Sequence, residues 1–218
     1  MIYFISDLHE DINFKGLQDY LKIATDNDLL IILGDIGLNF RETEENKEFT
    51  KQFLSIDKKI AFIEGNHENF DYYNSFPVID WCGGKAHKIT DNIVHLIRGN
   101  IYDIEGVKAF TFGGCKSSDK WKEEGLWFFG EEPTLEECAF SRENLKKHGN
   151  KVDLILTHKY EILGVGNTRT ELLLDLCSYI DANVDFKYWL AGHWHREGDQ
   201  DAKHKYIYDN LVPITNIL

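Results

Sequence analysis

The stretch Leu190-Ala191-Gly192-His193-Trp194-His195 decides the fold when it is read with Ile5-Ser6-Asp7-Leu8-His9 near the other end of the chain. In each, two metal-binding side chains alternate just past an apolar run. Residues i and i+2 of a β-strand point to the same side, so each stretch predicts a strand end that presents a pair of donors in one direction. Three more clusters lie between them. Gly34-Asp35 follows Leu29–Leu33, Gly65-Asn66-His67-Glu68 follows Ile60–Ile63, and Thr157-His158 follows Val152–Leu156. Such runs are what the C-terminal ends of neighbouring buried strands look like. Together the five clusters predict a two-metal site.

Outward from these clusters the chain alternates. Ile2–Ile5 reads as a strand covered on both faces, and Phe14 to Ala24 as a helix with Phe14, Leu17, Leu21 and Ala24 at helical spacing. Glu42 to Ile56 is a charged helix with one apolar stripe of Phe49, Phe53, Leu54 and Ile56. Strand, helix, strand, helix, strand implies parallel pairing and an α/β sheet. Farther on, Ile93–Ile97, Ile101–Ile104 and Val107–Phe112 are joined by Arg98-Gly99-Asn100 and Glu105-Gly106, which predicts an antiparallel meander. Leu135 to Lys147, bordered by Pro133 and Gly149, reads as a helix, as does Thr170 to Ile180. Tyr188–Ala191 is the strand before the His193/His195 pair, and Tyr206–Tyr208 with Leu211–Ile214 reads as a closing hairpin. With no repeat and no Pro/Ser-rich linker, residues 1–218 are expected to form a single domain.

Hydrophobic residues make up 43% of the chain and aromatics 13%, ample for a core. A net charge of −13 argues against a broad nucleic-acid-binding face, although metal ions can bring an acidic substrate to an acidic protein. Cys82, Cys115, Cys138 and Cys177 form no CxxC pair and read as reduced thiols of a cytoplasmic protein. None lies in the five clusters, which disfavours a thiolate site. Met1 runs directly into an apolar strand with no basic segment or cleavage site, and no run of about 18 apolar residues predicts a membrane span.

Singly, each cluster is weak. A Gly-Asp after a strand is most often a turn, and a lone His such as His158 is most often a satisfied residue. Jointly, donors at the ends of five strands are hard to produce by chance, and α/β sheets bind ligands there. Asp7-Leu8-His9, Gly34-Asp35, Gly65-Asn66-His67-Glu68, Thr157-His158 and Gly192-His193-Trp194-His195 resemble, in order and spacing, the five motifs of calcineurin-like metallophosphoesterases, here of the small bacterial and phage type. The resemblance implies a four-layer α-β-β-α sandwich, two mixed sheets flanked by helices. It implies that Asp7, His9 and His195 hold one ion, that Asp35 bridges both, and that Asn66, His158 and His193 complete the second site. It further implies a hydroxide shared by the ions as nucleophile and His67 as general acid, with His67 and Asp35 the catalytic pair. Imidazole and carboxylate donors suit two divalent transition-metal ions, Mn2+ first, then Fe, Zn2+ or Ni2+, rather than Ca2+.

One departure bears on the substrate. Gly34-Asp35-Ile36-Gly37-Leu38-Asn39-Phe40 lacks the Asp-Arg pair that continues this motif in the family's Ser/Thr protein phosphatases, so a phosphodiesterase on a small or nucleotide-type phosphate ester is favoured. A phosphomonoesterase, a nuclease and a catalytically silent binding scaffold are the alternatives. Arg41 reads as an ordinary exposed residue. The run Trp121-Lys122-Glu123-Glu124-Gly125-Leu126-Trp127-Phe128-Phe129 supports two readings: a lid that stacks on a nucleobase while Lys116 or Lys120 meets phosphate, or aromatic packing against the domain or a second subunit.

Overall fold

The computed structural model describes residues 1–160 and 171–218. Its first third runs β1 (Ile2–Ile5), α1 (Lys15–Ile23), β2 (Leu29–Ile32), α2 (Glu44–Leu54) and β3 (Ile60–Phe62). The three strands pair in parallel, Phe4 with Ile31 and Ile31 with Ala61. Thr43 caps α2 by accepting the Asn46 N–H, and Glu44 and Glu45 occupy its positively polarised first turn. Then come α3 (Phe70–Asn74), β4 (Val78–Trp81), β5 (Gly84–Lys88), β6 (Ile93–Leu96), β7 (Ile101–Ile104) and β8 (Val107–Phe112). The chain closes with α4 (Asp119–Glu123), α5 (Leu135–Lys147), β9 (Leu154–Thr157), α6 (Glu171–Asn183), β10 (Tyr188–Ala191), β11 (Gly198–Asp199), β12 (His204–Tyr206) and β13 (Val212–Pro213). Of the expected helix Thr170 to Ile180, Thr170 lies outside the described residues.

Two mixed sheets result. Seven strands run in the order β13-β1-β2-β3-β6-β5-β4 and six in the order β11-β12-β10-β9-β8-β7. Strand alternation builds the layers. Phe4, Ile31, Ala61 and Leu96 face Tyr102, Ala109, Leu156 and Leu190 across a central core. On the outer face of the first sheet, Ile5, Ile32 and Phe62 pack on Leu17 and Tyr20 of α1, Phe49 and Phe53 of α2, and Tyr73 of α3. On the outer face of the second, Phe110, Ile155 and Trp189 pack on Leu145 of α5 and Leu176 and Ile180 of α6. The four-layer arrangement of two sheets between helices agrees with the sequence reading.

Two expectations need correction. The segment 93–112 is not one meander, because β6 pairs with β3 and β5 in the first sheet while β7 and β8 form a hairpin in the second. Arg98-Gly99-Asn100 carries the chain between sheets. Likewise Tyr206–Tyr208 and Leu211–Ile214 do not form a hairpin: β12 joins β10 in the second sheet, and β13 joins β1 in the first. Where two sheets lie face to face, a tight turn at their edge can cross between them as readily as fold back.

Candidate metal centre

Strands β1, β2 and β3 of one sheet and β8, β9 and β10 of the other bring their C-terminal ends to a common edge. All eight residues singled out in the sequence lie there: Asp7, His9, Asp35, Asn66, His67, His158, His193 and His195. The reason differs from simple strand alternation. β1 stops at Ile5 and β10 at Ala191, so the paired donors belong to the loops beyond. Asp7, His9, Asp35, His193 and His195 all take left-handed backbone conformations, with φ of 61°, 48°, 55°, 71° and 48°. Non-glycine residues hold such angles at a cost of roughly 1–3 kcal/mol each, which surrounding structure must offset. Part of that support is backbone pairing: Asp7 N–H donates to Gly34 O at 3.0 Å and His9 N–H to Asp35 O at 2.9 Å. Close approach does the rest, since a Cβ on Gly65 would sit 2.0 Å from Asp35 Oδ1 and one on Gly192 1.9 Å from Ser6 Oγ.

The donors form two half-sites around Asp35. In the first, His9 Nε2 lies 2.8 Å from His195 Nε2 and 4.0 Å from Asp7 Oδ1, and His195 Nε2 lies 3.6 Å from Asp7 Oδ1. In the second, Asn66 Oδ1 lies 3.2 Å from His158 Nε2 and 3.1 Å from His193 Nδ1. Asp35 Oδ2 faces both, 3.6 Å from His9 Nε2 and 3.4 Å from His158 Nε2. His67 stands at the rim. Its N–H donates to Asp35 Oδ1 at 2.7 Å, and its ring meets those of His9, Phe40 and Trp121 at centroid distances of 5.0, 5.6 and 4.5 Å.

Several donors are held by a second group. His158 Nδ1 lies 2.7 Å from the Leu33 carbonyl, which can only accept, so Nε2 is turned to the site. The His193 N–H donates to Asp7 Oδ2 at 2.9 Å. Asn66 Nδ2 donates to Ser117 Oγ at 3.0 Å, and Ser117 Oγ donates to Glu131 Oε2 at 2.9 Å, which leaves Asn66 Oδ1 facing the histidines. Buried Glu68 accepts from the Ile36 and Gly37 N–H groups and from the Tyr73 hydroxyl, clamping the Asp35 loop to the Asn66-His67 loop.

The electrostatics call for cations. Burial pushes His9 down to about 4 and His193 to about 2, and also lowers His67 and His195. Burial, against the His158 charge and with the Asp35 charge, raises Asp7. Burial opposes the ionised Asp35 too, but the His158 charge and hydrogen bond outweigh it and hold the carboxyl far below the usual range. His158 is raised in turn: burial works against it, and Asp35 and Asp7 prevail. Thus imidazole nitrogens and buried carboxylates face one another across 3–4 Å, and Asp35 and His158 each favour the other's charged form. Lone pairs aimed at a common point fit divalent cations.

Sequence reasoning missed several members. Cys115 Sγ lies 3.2 Å from Asn66 Oδ1 and 3.6 Å from His193 Nδ1, so a thiol stands beside these donors although no cysteine falls within the five motifs. The cause is the Gly113-Gly114 turn at the end of β8. β8 runs parallel to β9 and ends at the same edge, which was the available signal. Ser117 and Glu131 left no local trace. The aromatic run divides between the site and the surface. Trp121 stands edge-on to His67, whereas Trp127 packs on Phe129 beneath Lys122. Lys120 is exposed and paired with Glu124, and Arg41 with Glu10.

Paired donor clusters across the shared edge of two facing sheets define a dinuclear-metal protein. The chain belongs to the calcineurin-like phosphoesterase family, whose sequence profile matches residues 1–197, and is thereby a metal-dependent phosphoesterase with a two-ion centre. One crystal structure, 11% identical, has a TM-score of 0.53 over 96% of this chain and 90% of its own, a likeness of fold. The phosphopantetheinyl hydrolase PptH of Mycobacterium tuberculosis is 18% identical at a TM-score of 0.45, covering 95% of this chain and 89% of that one. A protein of unknown function, AQ665 of Aquifex aeolicus, is 18% identical at 0.40, over 85% and 87% of the two chains. No curated protein matches significantly. Among the described residues no helix is long and apolar enough to cross a membrane.

Proposed function

We propose that the chain hydrolyses a small phosphodiester, with Asp7, His9 and His195 holding one ion, Asn66, His158 and His193 the other, and Asp35 shared. The observation that carries this reading is the position of Asp35 Oδ2, in reach of both half-sites at 3.6 and 3.4 Å. A shared carboxylate offsets the repulsion of two cations held about 3.5–4 Å apart. When bound, the ions bind the phosphoryl oxygens and lower the pKa of a coordinated water, Mn2+ being the first expectation. His67 gives a proton to the leaving oxygen. Burial lowers this imidazole, and an arriving phosphate anion beside it works in the opposite direction. Asp35 Oδ1 fixes the His67 backbone, while Phe40 and Trp121 restrict the ring.

What favours a diester is the space beyond Phe40, whose ring touches His67. A cavity of about 830 Å3 lies there, lined by Phe40, Leu126 and Phe128, with Arg41 and Lys47 beside Glu42 and Glu124 on its wall. It has room for a second, partly apolar substituent on phosphorus. The protein loaded with Mn2+ should cleave bis-aryl phosphates faster than mono-aryl phosphates. His67→Asn should cost about 10²–10⁴-fold on an alkyl ester, whose leaving oxygen needs a proton, and far less on an aryl ester. An equal loss on both would remove His67 as the acid, and faster mono-aryl cleavage would make this a phosphomonoesterase.

A further inference from the structure

The second half-site contains a donor that the His/Asp/Asn pattern does not include. β8 ends at Phe112, and Gly113-Gly114 then presses against Glu64: a Cβ on Gly113 would sit 2.5 Å from Glu64 O, and Gly114 N–H donates to that oxygen at 2.7 Å. Gly114 has φ of +76°, and a Cβ there would meet Arg98 Nη2 at 1.9 Å. No other residue type fits this turn, and the turn delivers Cys115, fully buried, onto the metal edge.

We propose that the Cys115 thiolate is a fifth protein donor to the half-site of Asp35, Asn66, His158 and His193, and that it makes this half-site select Zn2+ over Mn2+. The inference rests on the two-metal reading above and goes beyond it by assigning different ion preferences to the two positions. The spacing carries it. Donors bound to one ion at about 2.0–2.3 Å stand roughly 3–4 Å from each other in any compact polyhedron. Sγ lies 3.2 Å from Asn66 Oδ1 and 3.6 Å from His193 Nδ1, the same range as the 3.1, 3.2 and 3.4 Å separations among the four other donors. Sγ of Cys115 and the ring nitrogens of His158 and His193 all fall within 4.8 Å of one another. Cys115 packs in the core behind the second sheet, and its sulfur reaches out of that core into the site. Here it is directed at an amide oxygen and an imidazole nitrogen that serve the same ion. Ligation takes the thiolate: the S–H proton goes to solvent as the S–metal bond forms, with no change of oxidation state. Soft sulfur donors favour Zn2+ over Mn2+, so the preference is confined to the half-site that Cys115 touches.

The test uses the full chain reconstituted with Co2+, a spectroscopic substitute for Zn2+. Wild type should bind two equivalents and show a thiolate-to-Co2+ charge-transfer band in the near-ultraviolet beside the visible d–d bands. Cys115→Ala and Cys115→Ser should lose the near-ultraviolet band and keep the d–d bands. In Zn2+/Mn2+ competition followed by metal analysis, one of the two positions in wild type should prefer Zn2+, and each variant should lower that preference by about 10–100-fold. Serine has nearly the volume of cysteine, so Cys115→Ser gives the result if the alanine variant fails to fold. Two bound Co2+ with d–d bands but no charge-transfer band, or an unchanged Zn2+/Mn2+ ratio in the variants, overturns the proposal and leaves the two-metal reading intact. A chain that binds no Co2+ overturns both.

Discussion

The two half-sites share Asp35 and differ in almost everything else. In the first, the His9 and His195 side chains are 33% and 47% exposed, and only Asp7 is buried. In the second, His158 and Cys115 are wholly buried, Asn66 nearly so and His193 partly, and the Gly113-Gly114 turn with the Ser117–Glu131 pair lies behind them. Charge interactions strengthen where water is excluded. The buried half-site should therefore bind its ion tightly and exchange it slowly, and the open one should exchange its ion more readily. The largest effect should come from the residue that abolishes this distinction. Asp35→Asn keeps an oxygen for the His67 N–H yet removes the shared negative charge. Both ions should be weakened and kcat/KM should fall by at least about 10³-fold, about 4 kcal/mol of transition-state stabilisation. Metal analysis of the purified variant decides the matter, since two ions retained at wild-type affinity would exclude a shared role.

The comparison sharpens at acid pH, because the support behind the buried half-site is itself an ion pair. Arg98 Nε lies 2.6 Å from Glu64 Oε1, His95 Nε2 lies 2.9 Å from Glu64 Oε2, and both sheets contribute to the enclosure. Burial opposes the ionised Glu64, but Arg98 and the His95 hydrogen bond hold it down to about 2. A carboxyl depressed in the folded state stabilises it above the unfolded pKa and loses that contribution as pH falls toward the folded value. The window thus runs from about pH 4.5 to about pH 2, and the contribution is roughly 3 kcal/mol. Thermal unfolding of wild type should decline more steeply across that window than that of Glu64→Gln, which has nothing to titrate there. Parallel declines would show that the pair adds no stability.

The same contrast explains what could be read in the sequence. The donors were legible because Asp, Asn and His immediately after apolar runs have few other reasons to recur five times. Helices α1 and α2 were legible through their 3.6-residue spacing, and α5 through Pro133 and Gly149 at its borders. The β4–β5 hairpin was not. Its strands alternate Asp80, Lys85 and His87 with apolar residues at a sheet edge, and its two-residue turn is Cys82-Gly83, with φ of 46° and 86°, in place of a familiar Asn-Gly. Sheet membership of β6, β7, β12 and β13 was equally hidden, because periodicity tells which residues face a core but not which sheet supplies it. The orienting groups Ser117 and Glu131 act on Asn66 from 51 residues or more away, and no local pattern records that contact.

Ser117 offers the finest test of the comparison, since it touches the buried half-site alone. Its hydroxyl takes the Asn66 Nδ2–H at 3.0 Å and passes its own hydrogen to Glu131 Oε2 at 2.9 Å, so the amide oxygen has one orientation. Removing an orienting group behind a metal ligand costs about 10–100-fold in ion affinity. Ser117→Ala should therefore weaken one of two binding events in a Mn2+ titration by that factor and leave the other where it was. The hydroxyl is small and its backbone N–H, which donates to Glu131 Oε1 at 2.8 Å, survives the substitution, so the fold should be retained. If both events weaken together, the half-sites are coupled through Asp35 more strongly than their separate surroundings distinguish them. The contrast between a buried and an open position would then describe burial alone, and not ion binding.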